Sequence, residues 1–217
     1  MIQFDFEQAI ADHATKPITG LIHVGACTGE ERDLYCRMKI PAVLWIEANP
    51  ATYVTLSNRI SNLANHQAVC ALISDRDGEE VSFYVTSDSR SANDTRHASS
   101  SMLPLARHRR YYPGICVTEV LTLPTRTLAA VLPEIPIAAQ CNAMVLDIQG
   151  AELRAMLGAG DWLDQMDYIC TEVNIDELYA GCGRLPEVEK FLNGRGFKRV
   201  VTQIEPQQWG DALFVRQ

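Results

Sequence analysis

Short apolar runs alternate with amphipathic stretches along most of the chain. Thr19–Val24 (TGLIHV) and Ala42–Ile46 (AVLWI) read as buried strands, separated by a helical stretch over Glu30–Met38. A helix over Pro50–Ile60 follows, because Asn49-Pro50 supplies an N-cap and then a proline at the first helical position. Gln67–Ile73 predicts a third strand, and Asp77-Gly78 a turn into Val81–Val85. Ala143–Leu146 predicts a fourth core strand with a helix at about Ala151–Leu157 behind it, and Tyr168–Val173 a fifth. A helix over Leu185–Asn193, closed by Gly194, leads to a terminal strand pair, Phe197–Gln203 and Ala212–Arg216. Strand–helix alternation demands crossover connections, hence an α/β fold whose mostly parallel sheet is covered on both faces. The short link between the last two strands makes that pair antiparallel.

The segment Thr86–Glu119 breaks the alternation. Its first half is rich in Ser, Asn, Asp, Thr and Arg and reads as loop; Arg107, His108, Arg109, Tyr111 and Tyr112 fall on a short helix stopped by Pro113-Gly114. The expectation is one domain over residues 1–217 with an insertion at about 86–118, which folds as an acceptor-side lid.

The strand ends carry the candidate chemistry, because open α/β sheets bind ligands at the carboxyl ends of their strands. The first strand ends in Gly25-Ala26-Cys27-Thr28-Gly29. Cys27 stands where a dinucleotide fingerprint needs its middle glycine, which disfavours NAD and FAD. Glu47, about 20 residues beyond Gly25, ends the second strand where an acid can accept hydrogen bonds from a ribose. Asp147 ends the fourth strand ahead of Gly150, and Glu172 ends the fifth. Asp147 can orient a ligand group or act as a base; Glu152 suits the helix dipole.

Composition narrows the partners. A net charge of −8 over 217 residues opposes a nucleic-acid backbone and an anionic membrane surface. No apolar run reaches the length of a membrane span, and the acidic start Met1–Glu7 lacks the basic opening of a signal peptide. Seven scattered cysteines, with no C-x-x-C pair, predict neither a disulfide framework nor a metal site, and fit a reducing cytoplasm.

The stretches IHVGACTGEE, LWIEANPATYVTL, ALISDRDGEEVSF, VLDIQGAELRAMLGAG and FLNGRGFKRV, in this order, resemble the FkbM-type methyltransferases of the S-adenosylmethionine-dependent class I superfamily. The loop piece SSSMLPLARHRRYYPGI resembles one branch of that family. The resemblance implies a Rossmann-like, seven-stranded sheet with an antiparallel last strand. It implies that Gly25, Ala26 and Gly29 hold the methionine end of S-adenosylmethionine and that Glu47 binds the ribose, with Ala48 and Asn49 beside the adenosine. Ser74 and Asp75 would lie near the adenine, and Asp147 at the methionine end or the transferred methyl. Two positions depart from the family's pattern: His23 replaces an acid and Val145 a lysine. A charged His23 would repel the cofactor's amino group, so it is expected neutral or turned away.

The activity expected is O-methylation of a hydroxyl on a sugar, glycan or other small molecule, with His108, Asp147 and Glu172 as candidate bases and no metal. N-methylation of a small amine, or a scaffold that binds the cofactor without turnover, are the alternatives.

Overall fold

The computed structural model describes residues 2–90 and 97–217. Ten strands form two sheets. They are β1 (Leu21–Val24), β2 (Val43–Glu47), β3 (His66–Cys70), β4 (Leu72–Ile73), β5 (Glu80–Asp88), β6 (Ile115–Arg126), β7 (Ala143–Leu146), β8 (Tyr168–Asn174), β9 (Phe197–Ile204) and β10 (Trp209–Arg216). The main sheet runs β3-β2-β1-β7-β8-β10-β9. Every pairing from β3 to β8 is parallel, and β10 is antiparallel to both of its neighbours. This is the seven-stranded arrangement expected. The topology switches direction at β1, where β2 and β7 flank it on either side, and ligand crevices open at such a point.

Side chains alternate between two apolar layers. Ile22, Val24, Leu44, Ile46, Met144 and Leu146 face one layer, and the helices Glu152–Leu157 and Leu185–Gly194 pack there. Leu21, Val43, Trp45, Ala143, Val145 and Leu213 face the other, covered by Tyr35, Leu56 and Ile60 from the helices Arg32–Arg37 and Pro50–Ile60. The central strands are buried on both faces, so they read as unbroken apolar runs. Val145 sits inside the second layer. The helix Pro50–Ile60 begins as predicted: Asn49 Oδ1 accepts from the Ala51 N–H at 3.0 Å. Among the described residues, no helix is long and apolar enough to cross a membrane.

Two expectations need correction. The third strand is not continuous. It breaks after Cys70, and Leu72–Ile73 leaves the main sheet to pair with β6. The loop expected to start at Thr86 begins later, and the short helix expected after it is present at His108–Tyr111. β5 runs on to Asp88, and β6 begins at Ile115, paired antiparallel to it. This small sheet (β4-β6-β5) stands beside the carboxyl ends of β1 and β2, anchored by buried Leu72, Phe83 and Val85. The stretch from His97 returns across its edge, where Ser101 and Tyr84 bridge their backbones, and reaches the helix His108–Tyr111. Residues 91–96, part of the expected loop, lie outside the described residues.

Candidate active site

The Gly25 turn is shaped by its neighbours. Gly25 has φ +83°, and a Cβ there would stand 1.9 Å from the Asp147 carbonyl oxygen, so only glycine lets β1 and β7 end this close together. Cys27 is also left-handed, at φ +48°, and its N–H donates to Glu47 Oε2 at 2.9 Å. The Asn49 N–H donates to the other carboxylate oxygen, Oε1, at 2.8 Å. Burial pushes the Glu47 carboxyl up, and the backbone donors of Asn49, Cys27 and Ala48 oppose that shift. Glu47 is therefore locked in orientation from two sides while it lines a crevice at the strand ends. Ala48, Ala71, Leu72, Ile73 and Phe83 give that cavity an apolar flank. Burial, with Glu47 beside it, raises the Cys27 thiol to about 12, so it is an inert wall.

A second, larger cavity, open to solvent, adjoins the first. Gly25, Cys27, Ala98, Asp147 and Gln149 line both. Across this shared wall runs a polar bridge. Gln149 Nε2 donates to Asp147 Oδ1 at 2.6 Å and to Glu172 Oε2 at 2.7 Å. Gln149 Oε1 accepts from the Tyr179 hydroxyl at 2.5 Å. Burial, then the negative charges of Asp147, Glu152 and Asp211, push Glu172 well above the ordinary carboxylate range. Glu152 turns inward instead and accepts from the Ile148 and Gly150 N–H groups at 3.0 Å each, bracing the turn after β7.

The far wall of the second cavity is aromatic. Tyr112, Tyr179, Trp209 and His108 line it. Trp209 Nε1 donates to the Tyr112 hydroxyl at 2.8 Å, and the His108 ring lies 4.9 Å from Tyr112 and 5.3 Å from Tyr179. His108 is buried, and burial lowers its pKa to about 4. The imidazole is therefore neutral near pH 7 and a weak proton acceptor. His23 also reaches this cavity. It stacks on Trp45 at 5.5 Å and pairs with the Tyr35 hydroxyl at 3.0 Å. Burial lowers its pKa, so it too is neutral. Glu31 Oε2 stands 4.0 Å from its Nδ1 and puts an acid on the same wall.

Of the residues singled out in the sequence, Gly25, Glu47, Ala48 and Asp147 line the first cavity, and His23, His108, Asp147 and Glu172 the second. Ala26, Gly29 and Asn49 line neither. Ala26 is packed in the core, Gly29 has φ +76° and a Cβ there would crowd Leu56, and Asn49 caps a helix. Ser74 and Asp75 also stand apart from both. Once β4 leaves the main sheet, the Ser74 N–H donates to the Arg126 carbonyl, and Asp75 opens onto a separate depression beside Arg76 and Arg154. Gln149, Tyr179, Trp209, Glu31 and Phe83 line the cavities without having been singled out as site residues. For Gln149 a signal existed, its place two residues beyond Asp147 at a strand end.

Among solved structures, Sp1610 of Streptococcus pneumoniae, designated a tRNA (m1A22) methyltransferase, aligns over 100% of this chain and 70% of its own, with TM-score 0.54 and 13% identity. Its complex with S-adenosyl-L-methionine gives TM-score 0.51 at 13% identity, over 100% and 73%. An uncharacterized protein from Listeria monocytogenes serotype 4b gives TM-score 0.53 at 8% identity, over 99% and 69%. At such identities the likeness concerns the fold alone, the class I methyltransferase fold. None of the curated proteins compared matches the chain. The methyltransferase FkbM domain matches residues 23–199, from β1 into β9, and on that match the chain belongs to the FkbM methyltransferase family.

Proposed function

We propose that this protein transfers the methyl group of S-adenosylmethionine to a hydroxyl of a small-molecule or glycan acceptor in the cytoplasm. The observation that carries the reading is the shared wall: a cavity with a ribose-type acid meets a second, aromatic-walled cavity at Asp147 and Gln149. The first cavity fits the donor. Gly25 lines the cavity at the turn after β1, and Glu47, held by two N–H donors, keeps lone pairs for two ribose hydroxyls. Ala71, Leu72, Ile73 and Phe83 offer apolar surface for a purine.

The donor supplies a methyl group already activated on a sulfonium. What remains for the chain is to bind, align and exclude water. The aromatic wall of Tyr112, Tyr179 and Trp209 suits the apolar face of a ring-shaped acceptor. The net charge of −8 argues against a nucleic-acid acceptor. The test is incubation with methyl-labelled S-adenosylmethionine and a panel of methyl glycosides, polyols and primary amines. Label on a hydroxyl oxygen is the expected result. Label only on amine nitrogen, or donor binding without transfer to any member, contradicts it.

A further inference from the structure

Gln149 occupies the wall between the cavities, and no role above depends on it. Its backbone is left-handed, at φ +56°, a conformation that side chains other than glycine rarely adopt and that recurs where a site over-determines it. Its carbonyl accepts from Ser101 Oγ at 2.8 Å. The side-chain amide is oriented by three partners: its nitrogen faces the Asp147 and Glu172 carboxyl groups and its oxygen the Tyr179 hydroxyl. Both amide hydrogens are used, one on Asp147 and one on Glu172, and the amide oxygen is held by Tyr179. The two acids differ in what they face: Asp147 lines both cavities, Glu172 the acceptor cavity only.

We propose that Gln149 is a positioning residue that holds Glu172 at the point of methyl transfer, where the Glu172 carboxylate binds the acceptor hydroxyl and takes its proton. The inference rests on the reading above of a donor site and an acceptor site. The oxygen–methyl bond forms as the methyl–sulfur bond breaks, the electron pair stays on sulfur, and the hydroxyl proton ends on Glu172. His108 is the competing base, and its geometry disfavours it. Its Nδ1 is buried and has no hydrogen-bond partner among the described residues. The tautomer that avoids a stranded N–H there carries its hydrogen on Nε2, which then has no lone pair to offer. Burial raises the Glu172 pKa, so the carboxylate that takes the proton gains population as pH rises, and turnover should rise with pH.

Two donor-site ligands that differ at the transferred group test this without a known acceptor. Sinefungin carries an amine where S-adenosylmethionine carries its methyl; S-adenosylhomocysteine carries nothing there. Calorimetry on the intact protein should show sinefungin binding about tenfold or more tighter than S-adenosylhomocysteine, the effect of a charge-assisted hydrogen bond. Glu172→Gln should abolish that preference and leave S-adenosylhomocysteine affinity unchanged. Gln149→Met keeps the side-chain length without the donors and should lose about threefold or more of the preference. A merely structural role would weaken both ligands alike. On any acceptor labelled by the wild-type protein, Glu172→Gln should lower turnover about a hundredfold. A full sinefungin preference in Glu172→Gln, or unaltered turnover, overturns the role of Glu172. Loss of preference in Glu172→Gln but not in Gln149→Met overturns the role of Gln149. Absence of S-adenosylhomocysteine binding in the wild-type protein overturns the donor-site reading itself, and this inference with it.

Discussion

The two cavities meet at one wall but are built in opposite ways. The first is a product of strand ends: the Gly25 turn, Glu47 as the last residue of β2, and Asp147 one residue beyond β7. Its key contacts span short distances along the chain, as between Glu47 and Asn49, or join neighbouring strands of one sheet. The second gathers side chains from segments far apart. Tyr112 meets Trp209 across 97 residues, and Gln149 meets Glu172 across 23. A backbone-built site tolerates little change in any one residue, because each position is set by the sheet. A side-chain-built site can change its shape residue by residue without disturbing the sheet, and that is the property the proposed acceptor site needs.

This contrast can be broken or sharpened by substitution. The largest effect belongs to Gly25→Ala. Its Cβ collides with the Asp147 carbonyl and its backbone is left-handed at φ +83°, so thermal or denaturant unfolding should show a loss of about 3 kcal/mol. A stability close to wild type would mean that the β1–β7 junction is looser than the structure shows. Next, Glu47→Ala should weaken S-adenosylhomocysteine binding by ~1.5–3 kcal/mol in a calorimetric titration while the chain stays folded. An unchanged affinity would remove Glu47 from the donor site.

Trp209→Phe keeps a ring in the second cavity but removes the 2.8 Å bond to Tyr112. It should cost about 1 kcal/mol of stability and leave S-adenosylhomocysteine affinity as it was. A parallel loss of donor affinity would show that the cavities are not separable. A further test concerns pH. His108 has a folded pKa of about 4, depressed by burial below its ordinary 6.5. The unfolded chain therefore binds the proton first, and the folded state loses stability as pH falls from 6.5 towards 4. His108→Phe removes that term, so the gap in melting temperature between variant and wild type should shift in the variant's favour across this window. A constant gap would mean that His108 is not buried in solution.

The same contrast explains what could be read from the sequence. The helix Pro50–Ile60 was visible because its start is written locally, in Asn49-Pro50. The strands of the main sheet were visible because burial on both faces makes them continuous apolar runs. β6 was not read as a strand. Its partner β5 lies across the segment that breaks the alternation, its outward residues include Glu119, and it carries Pro124 at its end. The split between β3 and β4 leaves no mark around Ala71, and the family resemblance, which puts Ser74 and Asp75 near the adenine, carries no sign that Leu72–Ile73 leaves the main sheet. Glu47 and Asp147 stood out as acids closing apolar runs. Trp209, Tyr179 and Glu31 had no such frame, since only the folded chain brings them to the cavity.

The central claim is that the first cavity holds the donor and the second the acceptor, with the reacting atoms at Asp147 and Gln149. A crystal structure of the protein with S-adenosylhomocysteine tests it most directly. The account predicts the ribose hydroxyls on Glu47, the purine against Ala71–Ile73 and Phe83, and the sulfur at the Asp147–Gln149 wall, open to the aromatic cavity. A ligand whose purine lies beside Ser74 and Asp75, or whose sulfur faces away from Gln149, would contradict it.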